Sequence, residues 1–214
     1  NLGKSFDVII NANGNSNKIW ANENVLADFA ASTTSVYQTL FDFPCKTYVY
    51  ISSTDVYPDH TNKKFTNESK AIAVEKLSSY GLHKYLGECI VKNFNKSYII
   101  LRCPMILGTN LRKGPVYDIL HSSRLFINPE SSFQTITTVE IAKIIYLLIE
   151  KNITNEVFNI GGQGKVSLSE ITKYLKKTVT SPKDGQIHTY EMDISKLNKI
   201  YPLLQMFLLQ SPNH

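Results

Sequence analysis

The chain has 214 residues, of which 43% are hydrophobic and 19% charged, with 10 Gly and 8 Pro. This composition excludes a disordered, collagen-like or coiled-coil protein and leaves a globular one of one domain or slightly more. The net charge of +5 comes from basic residues scattered along the sequence, which suits an anionic substrate or an ordinary solvated surface and predicts no nucleic-acid partner.

Apolar strands alternate with helical patterns over the first half of the chain. Short runs rich in β-branched residues that end in polar turns predict strands at residues 7–11, 47–53 and 98–102. Apolar residues that recur every three or four positions predict helices at residues 23–43 and 78–93. Strands that alternate with helices pair in parallel, so the predicted fold class is α/β with a doubly wound parallel sheet.

The pattern loosens after Gly108, as is typical of a substrate-binding region. A strongly apolar helix at residues 140–151 and a strand at residues 156–160 follow. Ser167 and Glu170 then have the spacing of a capping box, which predicts the start of a further helix.

Cysteine and histidine spacing predicts neither a disulfide nor a metal site. Cys45, Cys89 and Cys103 are widely spaced and form no C-x-x-C pair, so we expect reduced thiols. The histidines have no H-x-x-x-H or similar ligand spacing, so no metal ligand is assigned. No apolar stretch is long enough to cross a membrane and the first residues lack the pattern of a signal peptide, which favours a cytoplasmic protein without a membrane partner.

Tyr80 and Lys84 are the most informative pair in the sequence. They lie four residues apart near the start of a predicted helix, so both side chains lie on one helical face. An unperturbed phenol has a pKa of about 10, and a neighbouring ammonium lowers that pKa towards the range useful for acid–base chemistry. The same spacing is also common on half-exposed helices without any function, so the pair alone leaves both interpretations open.

The surroundings of this pair favour a functional interpretation. The strand at residues 47–53 delivers the motif S-S-T-D-V-Y (residues 52–57) to the carboxyl end of the sheet, the edge where open parallel sheets bind ligands. Residues 80–88 read Y-G-L-H-K-Y-L-G-E, and residues 101–108 read L-R-C-P-M-I-L-G. In this order and spacing the three motifs resemble those of the extended short-chain dehydrogenase/reductase family, which comprises nucleotide-sugar epimerases, dehydratases and ketoreductases.

The resemblance implies a role for each matched residue. Tyr80 is the expected general acid/base, passing a proton to or from a sugar hydroxyl or keto oxygen. Lys84 is expected to hold the ribose next to the nicotinamide and to lower the pKa of Tyr80, and Ser53 is expected to hydrogen-bond the reacting oxygen. The implied cofactor is NAD or NADP, and the implied partner is a nucleotide-sugar substrate.

Further contact residues follow from the same resemblance. Those expected to contact the cofactor are Ala12, Asn13, Gly14, Ser52, Tyr80, Lys84 and Pro104. Those expected to contact the substrate are Thr54, Asp55, Arg112 and Arg124. The arginines are chosen because a guanidinium group pairs well with phosphate, although a solvated surface explains them too. Asn13-Gly14 is also a good turn, and Pro104 also suits the end of a strand.

Two departures from the family's patterns bear on the reaction. Thr54 and Asp55 stand where the family's dehydratases have Asp and Glu, which removes half of the acid/base pair that eliminates water and disfavours a 4,6-dehydratase. Ser32 stands near a position that often carries Asn in the family, which leaves the structural or proton-relay contribution of that position open.

The family's phosphate-binding turn, G-x-x-G-x-x-G, does not occur in this sequence. By its landmarks, the strand at residues 7–11 corresponds to the family's fourth strand, and the resemblance runs from there to about Pro202. We therefore predict the latter part of a Rossmann-like dinucleotide-binding domain at residues 1–108. A small substrate-binding region follows at residues 109–214, with a strand and a helix that return to the core. Because the fourth strand lies in the middle of such a sheet, we expect an N-terminal segment, a second chain or a swapped copy to cover it.

The leading functional prediction is an enzyme, an NAD(P)-dependent epimerase or 4-ketoreductase of a nucleotide-activated sugar. The compact substrate region favours a reductase. The alternative is a non-enzymatic Rossmann-like scaffold or nucleotide-binding remnant, against which the intact set of Ser53, Tyr80 and Lys84 argues.

A homodimer is expected by similarity, because relatives pair through the helix that carries Y-x-x-x-K and the helix before it. The candidates for this contact are Val36, Leu40, Leu86 and Ile90, which equally suit the face turned to the sheet.

Overall fold

A parallel β-sheet is the centre of the computed structural model, which describes residues 2–122, 124–182 and 184–201. The strands in chain order are β1 (Phe6–Asn11), β2 (Cys45–Ser53), β3 (Tyr98–Cys103), β4 (Met105–Leu107), β5 (Ser132–Phe133), β6 (Thr135–Thr137), β7 (Glu156–Asn159), β8 (Val166–Ser167) and β9 (Thr189–Tyr190). The main sheet has the order β1-β2-β3-β7, and every neighbouring pair in it is parallel. The predicted α/β class with a parallel sheet is confirmed.

Helices connect the strands, and hydroxyl side chains begin the longer ones. In chain order they are α1 (Lys18–Glu23), α2 (Val25–Phe29), α3 (Ser35–Asp42), α4 (Ser79–Phe94), α5 (Pro115–His121), α6 (Thr138–Glu150), α7 (Leu168–Tyr174) and α8 (Ser195–Asn198). Ser78 caps α4 and Thr137 caps α6, because their oxygens accept N–H groups that the first turn leaves unpaired. Ser167 and Glu170 form the predicted capping box of α7. No helix in the three described ranges is long and apolar enough to cross a bilayer.

The two faces of the main sheet are covered by different helices. On one face, Ile144 of α6 packs in a cluster with Leu101 of β3. On the other face, Val36 of α3 and Val91 of α4 pack in a cluster with Ile100 of β3. Neighbouring residues of one strand thus point to opposite helical layers, as the pleat of a strand requires. Helices on both faces make the sheet doubly wound.

The helix predicted at residues 23–43 is confirmed over residues 25–42, where α2, a π-helical turn (Ala30–Thr34) and α3 follow one another with helical backbone angles at both junctions. α1 ends at Glu23, and the side-chain amide of the next residue, Asn24, donates to the backbone oxygen of Trp20 in the last turn of α1. In the π-helical turn, the hydroxyl of Thr33 donates to the backbone oxygen of His83 on α4 at 3.1 Å. Polar side chains that find partners of this kind compete with regular helical bonding, and π-turns are frequent near functional sites.

The C-terminal region has an apolar core of its own around a three-stranded sheet. β5 lies between β8 and β9, and β4 pairs with β6 in a separate parallel pair. Ile119 of α5 and Ile171 of α7 belong to the apolar cluster of this region. α6, β7 and α8 return to the main sheet, and Leu197 of α8 is buried in its core. The predicted division after residue 108 stays a prediction, and residues 202–214, with the predicted end of the resemblance at Pro202, lie outside the described residues.

β1 lies at one edge of the main sheet in the described part of the chain, where it pairs with β2. Ile10 on this strand is 53% exposed. A cavity of about 430 Å³ borders the same strand, lined by residues that include Phe6, Ile9 and Phe43. That another segment or chain covers this edge stays a prediction.

Three of the four side chains named for a dimer contact pack against the sheet. Val36 is fully buried, and Leu40 and Ile90 pack against the same apolar cluster. Leu86 is half-buried. The helical period that made these residues candidates for an outer face places Val36, Leu40 and Ile90 on the inner one, so they do not form an exposed contact surface.

Candidate active site

The three predicted catalytic residues lie at the carboxyl edge of the main sheet. Ser53 is the last residue of β2, and Tyr80 and Lys84 lie in the first two turns of α4. All three are buried, at 8%, 7% and 6% exposure respectively. The side chains of Ser53 and Tyr80 share a hydrogen bond. The structure therefore gathers the expected hydroxyl, phenol and ammonium groups in one region.

Gly81 allows α4 to approach the turn that follows β2. A Cβ atom at this position would overlap the backbone oxygen of Asp55. The N–H of Gly81 donates to Ser78 Oγ at 3.3 Å, which fixes the first turn of the helix. Glycine is therefore required for the close approach that sets Tyr80 beside Ser53.

The acidity of Tyr80 differs from the expectation. Burial raises the pKa of Tyr80 well above that of a free phenol, and the charge of Asp55 raises it further, while the hydrogen bond with Ser53 opposes both. The prediction of a lowered pKa is therefore wrong for this structure, because burial of the phenol dominates. Tyr80 is therefore protonated at neutral pH.

The ammonium group of Lys84 contacts the backbone and an aromatic ring. Its Nζ donates to the carbonyl oxygen of Ile51 at 3.3 Å and lies 5.4 Å from the centroid of the Tyr50 ring. Burial lowers the pKa of Lys84, and nearby acidic groups, Asp28 among them, oppose this shift. An ammonium carries three N–H donors, and the bond with Ile51 uses one of them.

The loop after β1 passes close to Lys84. Gly14 has a φ of +113°, a conformation that favours glycine, and a Cβ there would lie 3.4 Å from Lys84 Nζ and 3.3 Å from Ser32 Oγ. Ala12 and Asn13 directly precede Gly14 and are exposed. The structure thus places Gly14 next to α4, and contact of Ala12, Asn13 and Gly14 with the cofactor stays a prediction.

Two predicted contact residues use their hydroxyls inside the protein. Ser52 Oγ donates to Glu88 Oε1 at 2.6 Å, and Thr54 Oγ1 donates to the backbone oxygen of Cys103 at 3.0 Å. Both residues are almost fully buried. In the structure these hydroxyls tie β2 and the following turn to α4 and β3, and contact of Ser52 with the cofactor and of Thr54 with the substrate stays a prediction. Pro104 is half-buried directly after β3, and its contact with the cofactor stays a prediction.

Asp55 belongs to a charged cluster that the sequence analysis missed. Its Oδ1 lies 2.5 Å from Lys18 Nζ and 3.7 Å from His60 Nε2, and its Oδ2 lies 3.4 Å from Ser53 Oγ. The ring of His60 stacks on that of Tyr190 with 3.9 Å between centroids. Burial alone would raise the pKa of Asp55, but His60 and Lys18 hold it below its ordinary value, so the carboxylate is ionised. No spacing in the sequence signals this cluster, because its members come from distant parts of the chain.

The two arginines predicted to bind phosphate are exposed. Arg112 lies in the segment between β4 and α5. The guanidinium group of Arg124 lies 5.0 Å from the centroid of the Phe126 ring, and Arg124 lines a cavity of about 480 Å³ with Thr180 and Pro182. Phosphate binding by either arginine stays a prediction.

Other residues of the matched motifs form a buried polar network. Glu88 is fully buried and accepts from Arg102 through both carboxylate oxygens, at 2.9 and 2.7 Å. Arg102 also donates to Tyr57 Oη at 2.7 Å, and that hydroxyl donates to Asn159 Oδ1 at 2.8 Å. Burial raises the pKa of Tyr57 to about 12, so the hydroxyl keeps the proton it donates. These motif residues hold α4, β3 and β7 together.

Solved structures share the fold of this chain at low sequence identity. UDP-glucose 4-epimerase from Thermotoga maritima matches with a TM-score of 0.73 and 17% identity, over 90% of this chain and 70% of that one. UDP-glucuronic acid 4-epimerase from Bacillus cereus, solved with UDP-glucuronic acid and NAD, matches with a TM-score of 0.76 and 20% identity, over 91% and 68%. A dTDP-4-dehydrorhamnose reductase from Clostridium acetobutylicum matches with a TM-score of 0.72 and 17% identity, over 90% and 74%. At these identities the likeness establishes the Rossmann-like fold.

A match to a family model identifies the chain more closely. No match is found among curated protein sequences. The family model covers residues 2–161, which is more than half of the chain and includes Ser53, Tyr80 and Lys84. The match confirms the resemblance that the three motifs indicated. This chain therefore belongs to the NAD dependent epimerase/dehydratase family.

Proposed function

We propose that the protein is an NAD(P)-dependent oxidoreductase or epimerase of a nucleotide-activated sugar, with Tyr80 as the general acid/base. The observation that carries this proposal is the burial of Ser53, Tyr80 and Lys84 at the carboxyl edge of the sheet, with Gly14 close to the ammonium group. Membership of an NAD-dependent family supports it. So do the epimerases and the reductase that share its fold.

The raised pKa of Tyr80 keeps the phenol protonated at neutral pH, while it makes the phenol a weaker acid than a free one. A protonated phenol that is hydrogen-bonded to Ser53 can donate its proton to the keto oxygen of a sugar. A bound reduced nicotinamide supplies the hydride that the carbonyl carbon takes up. Reduction starts from the protonated phenol, whereas the first half of an epimerisation must remove a proton from a hydroxyl. We propose a 4-ketoreductase in preference to an epimerase, because the substrate region after Gly108 is compact.

The nicotinamide end of a dinucleotide fits the residues that are present. A Cβ atom at position 14 would lie 3.4 Å from Lys84 Nζ. Because glycine has no Cβ atom, this space beside the ammonium is left for a ribose hydroxyl. Ala12 and Asn13 would line the same space. The sequence has no G-x-x-G-x-x-G turn, so this assignment covers the nicotinamide end of the cofactor alone.

Substrate contacts follow from the neighbours of Ser53. Asp55 is our candidate for contact with the sugar, because its carboxylate lies 3.4 Å from Ser53 Oγ and is ionised. Arg112 and Arg124 are our candidates for contact with the diphosphate, on the chemistry of guanidinium groups.

The first test compares the wild-type chain with Tyr80→Phe. Nicotinamide fluorescence measures NADH and NADPH binding, and oxidation of the reduced cofactor by a nucleotide 4-keto-sugar measures turnover. The variant keeps the ring but loses the proton donor, so we expect cofactor affinity to stay within about twofold and turnover to fall by about 10²- to 10⁴-fold. Tyr146→Phe, on the exposed face of α6, is the control and should retain full turnover. Turnover retained by Tyr80→Phe would remove Tyr80 from the proposed role.

The same titration separates the enzyme from its alternative. A wild-type chain that binds neither NADH nor NADPH would favour a non-enzymatic Rossmann-like scaffold. The scaffold is considered because this sequence has no glycine-rich phosphate-binding turn.

We also propose a homodimer that forms through α3 and α4. The rings of Tyr37, Phe41 and Phe94 contact one another, with centroids 5.0 to 6.1 Å apart. Phe41 is 58% exposed and Phe94 is 50% exposed. Exposed apolar side chains that cluster in this way are typical of protein–protein interaction sites. The two helices are those through which the family's members are expected to pair.

A further inference from the structure

Asp28, on α2, is a fully buried carboxylate outside the predicted site. Its Oδ2 lies 2.6 Å from His83 Nδ1, which therefore carries the hydrogen, since a carboxylate only accepts. Its Oδ1 accepts from Asn15 Nδ2 at 2.9 Å and from Ser32 Oγ at 3.3 Å. A buried carboxylate is costly unless it is well hydrogen-bonded, and here three side chains from different segments supply those bonds.

The bond to Asn15 organises the loop after β1. The same side-chain amide of Asn15 donates to the backbone oxygen of Asn17 at 2.9 Å, and its Oδ1 accepts the N–H of Asn17 at 2.8 Å. The N–H of Asn15 donates to Ser32 Oγ at 3.4 Å. Asp28 thus anchors the residue that shapes this loop, and Gly14, the next residue back, is the one that approaches Lys84 Nζ.

The bond to His83 fixes α4 at the residue directly before Lys84. His83 is buried, and its backbone oxygen accepts from the hydroxyl of Thr33 at 3.1 Å. The edge of the ring contacts Phe29, with 5.3 Å between centroids. The contacts of His83 on α2 and the π-helical turn therefore hold α4 in a defined position against the segment that also anchors the loop.

We propose that Asp28 is a positioning residue, which through Asn15 and His83 holds the loop of residues 12–17 against the part of α4 that carries Lys84. The loop and the ammonium then form a preformed surface for the nicotinamide end of the cofactor. The identity of that ligand rests on the proposed function, whereas the positioning of the loop does not.

The effect of the Asp28 charge on Tyr80 and Lys84 agrees with its position beside the site. The pKa of Tyr80 is raised by burial first and by Asp55, and Asp28 adds to the increase. The pKa of Lys84 is lowered by burial, and the charge of Asp28 opposes that shift. Both functional groups of the site therefore respond to Asp28, as expected if it lies next to them.

Hydrogen–deuterium exchange of the full chain tests the positioning without any ligand. Asp28→Asn keeps the shape of the side chain but removes the charge that holds Asn15 and His83. We expect the backbone N–H groups of residues 13–17 to exchange at least about tenfold faster in this variant than in the wild type. His83→Gln should increase the same exchange in the same segment, because it removes the second bond of Asp28.

Two controls separate positioning from general destabilisation. Asp118→Asn makes the same chemical change on α5 and should leave residues 13–17 unchanged. Ile144→Val removes one methyl group from the fully buried core under α6, which typically costs about 0.5–1.5 kcal/mol, without touching the loop. Wild-type exchange rates at residues 13–17 in Asp28→Asn, or the same local increase in Ile144→Val, would overturn the proposal.

Titration with NADPH adds the functional readout. A loop that is correctly placed only a tenth of the time raises the apparent Kd and the KM for NADPH about tenfold. The value of kcat at saturating NADPH should change less than the KM, because Tyr80 itself is intact and the charge of Asp28 contributes less to its raised pKa than burial and Asp55 do. A wild-type chain that binds no NADPH contradicts the proposed function alone, since the exchange experiment still decides whether Asp28 positions the loop. A fall in kcat with an unchanged KM would count against Asp28 as a residue that prepares the cofactor surface.

Discussion

Lys84 carries a positive charge in surroundings that disfavour it. Its side chain is 6% exposed, and burial lowers its pKa. The folded chain therefore binds the proton of Lys84 less tightly than the unfolded chain, so ionised Lys84 lowers the free energy of unfolding. A buried ammonium group that lowers stability is expected where it serves a function, because residues needed for activity are often less stable than the alternatives at the same position.

Replacement of Lys84 tests this conflict directly. Lys84→Met keeps the length of the side chain and removes the charge, so we expect turnover to be lost and the free energy of unfolding at pH 7 to rise by about 1 kcal/mol. The gain should shrink as the pH approaches 10.5, the pKa of lysine in the unfolded chain, because wild-type Lys84 is then also neutral. Urea unfolding at pH 7 and pH 10 measures the gain in the free energy of unfolding and its decrease with pH. The control is Lys92→Met on the same helix, where the side chain is partly exposed, and it should change neither turnover nor the free energy of unfolding. A loss of stability in Lys84→Met would show that the ammonium is stabilising.

The residues of the site differ in how far the sequence could predict them. Helical spacing predicted that Tyr80 and Lys84 share one face of a helix, and the end of a strand predicted that Ser53 lies at the carboxyl edge of the sheet, where the structure has it. The pKa of Tyr80 was predicted in the wrong direction, because burial of the phenol depends on tertiary packing that spacing does not show. Lys18 and His60 were missed for a related reason, since they meet Asp55 only in the folded chain.

At the scale of secondary structure, α4 is the element on which the site depends. Its first two turns carry Tyr80 and Lys84, and its middle is tied to β3 by the buried pair of Glu88 and Arg102. Hydrogen bonds from Ser52 and to Tyr57 extend this pair to β2 and to the turn after it. These motif residues thus hold α4 in position against the sheet.

Loss of one partner of this buried pair should be costly. Glu88→Gln leaves the guanidinium group of Arg102 buried without its counter-charge, so we expect the free energy of unfolding to fall by about 3–5 kcal/mol. Glu156→Gln is the matched control, because it breaks the ion pair with Lys196, in which Glu156 is about half exposed, and should cost less than about 1 kcal/mol. Denaturant unfolding of both variants measures the difference. Equal losses in the two variants would show that the buried pair contributes no more than a surface one.

Regular elements were easier to predict than their interruptions. The strands β1, β2 and β3 and the helix α4 follow from apolar periodicity, which reports the burial of one face or of both. The π-helical turn inside the predicted helix at residues 23–43 makes polar contacts such as that of Thr33 with the backbone of His83, 50 residues away. Periodicity holds no information about such partners, so the π-helical turn and the buried Asp28 beside it could not be predicted.

At the scale of the whole molecule, three distant parts of the chain meet next to Ser53. Lys18 comes from the start of α1, Asp55 from the turn after β2 and Tyr190 from the C-terminal region, and the Lys18 ammonium donates to the hydroxyl of Tyr190 at 3.4 Å. The parallel sheet fixes where Ser53 lies, and the C-terminal region closes one side of its surroundings.

The outer faces of α3 and α4 provide the last prediction, which concerns the assembly. Three aromatic rings, Tyr37, Phe41 and Phe94, are exposed together there, and burying them against the same patch of a second copy would remove apolar surface from water on both sides of a two-fold axis. We expect the wild-type chain to sediment as a dimer and Phe41→Glu to sediment as a monomer, because a charge would face its own copy across the axis. Tyr146→Glu on α6, at a similarly exposed position, should stay dimeric. Since Phe41 is 58% exposed within one chain, the substitution should change the stability of the monomer little. A dimer that persists in Phe41→Glu would therefore show that the contact lies on another face.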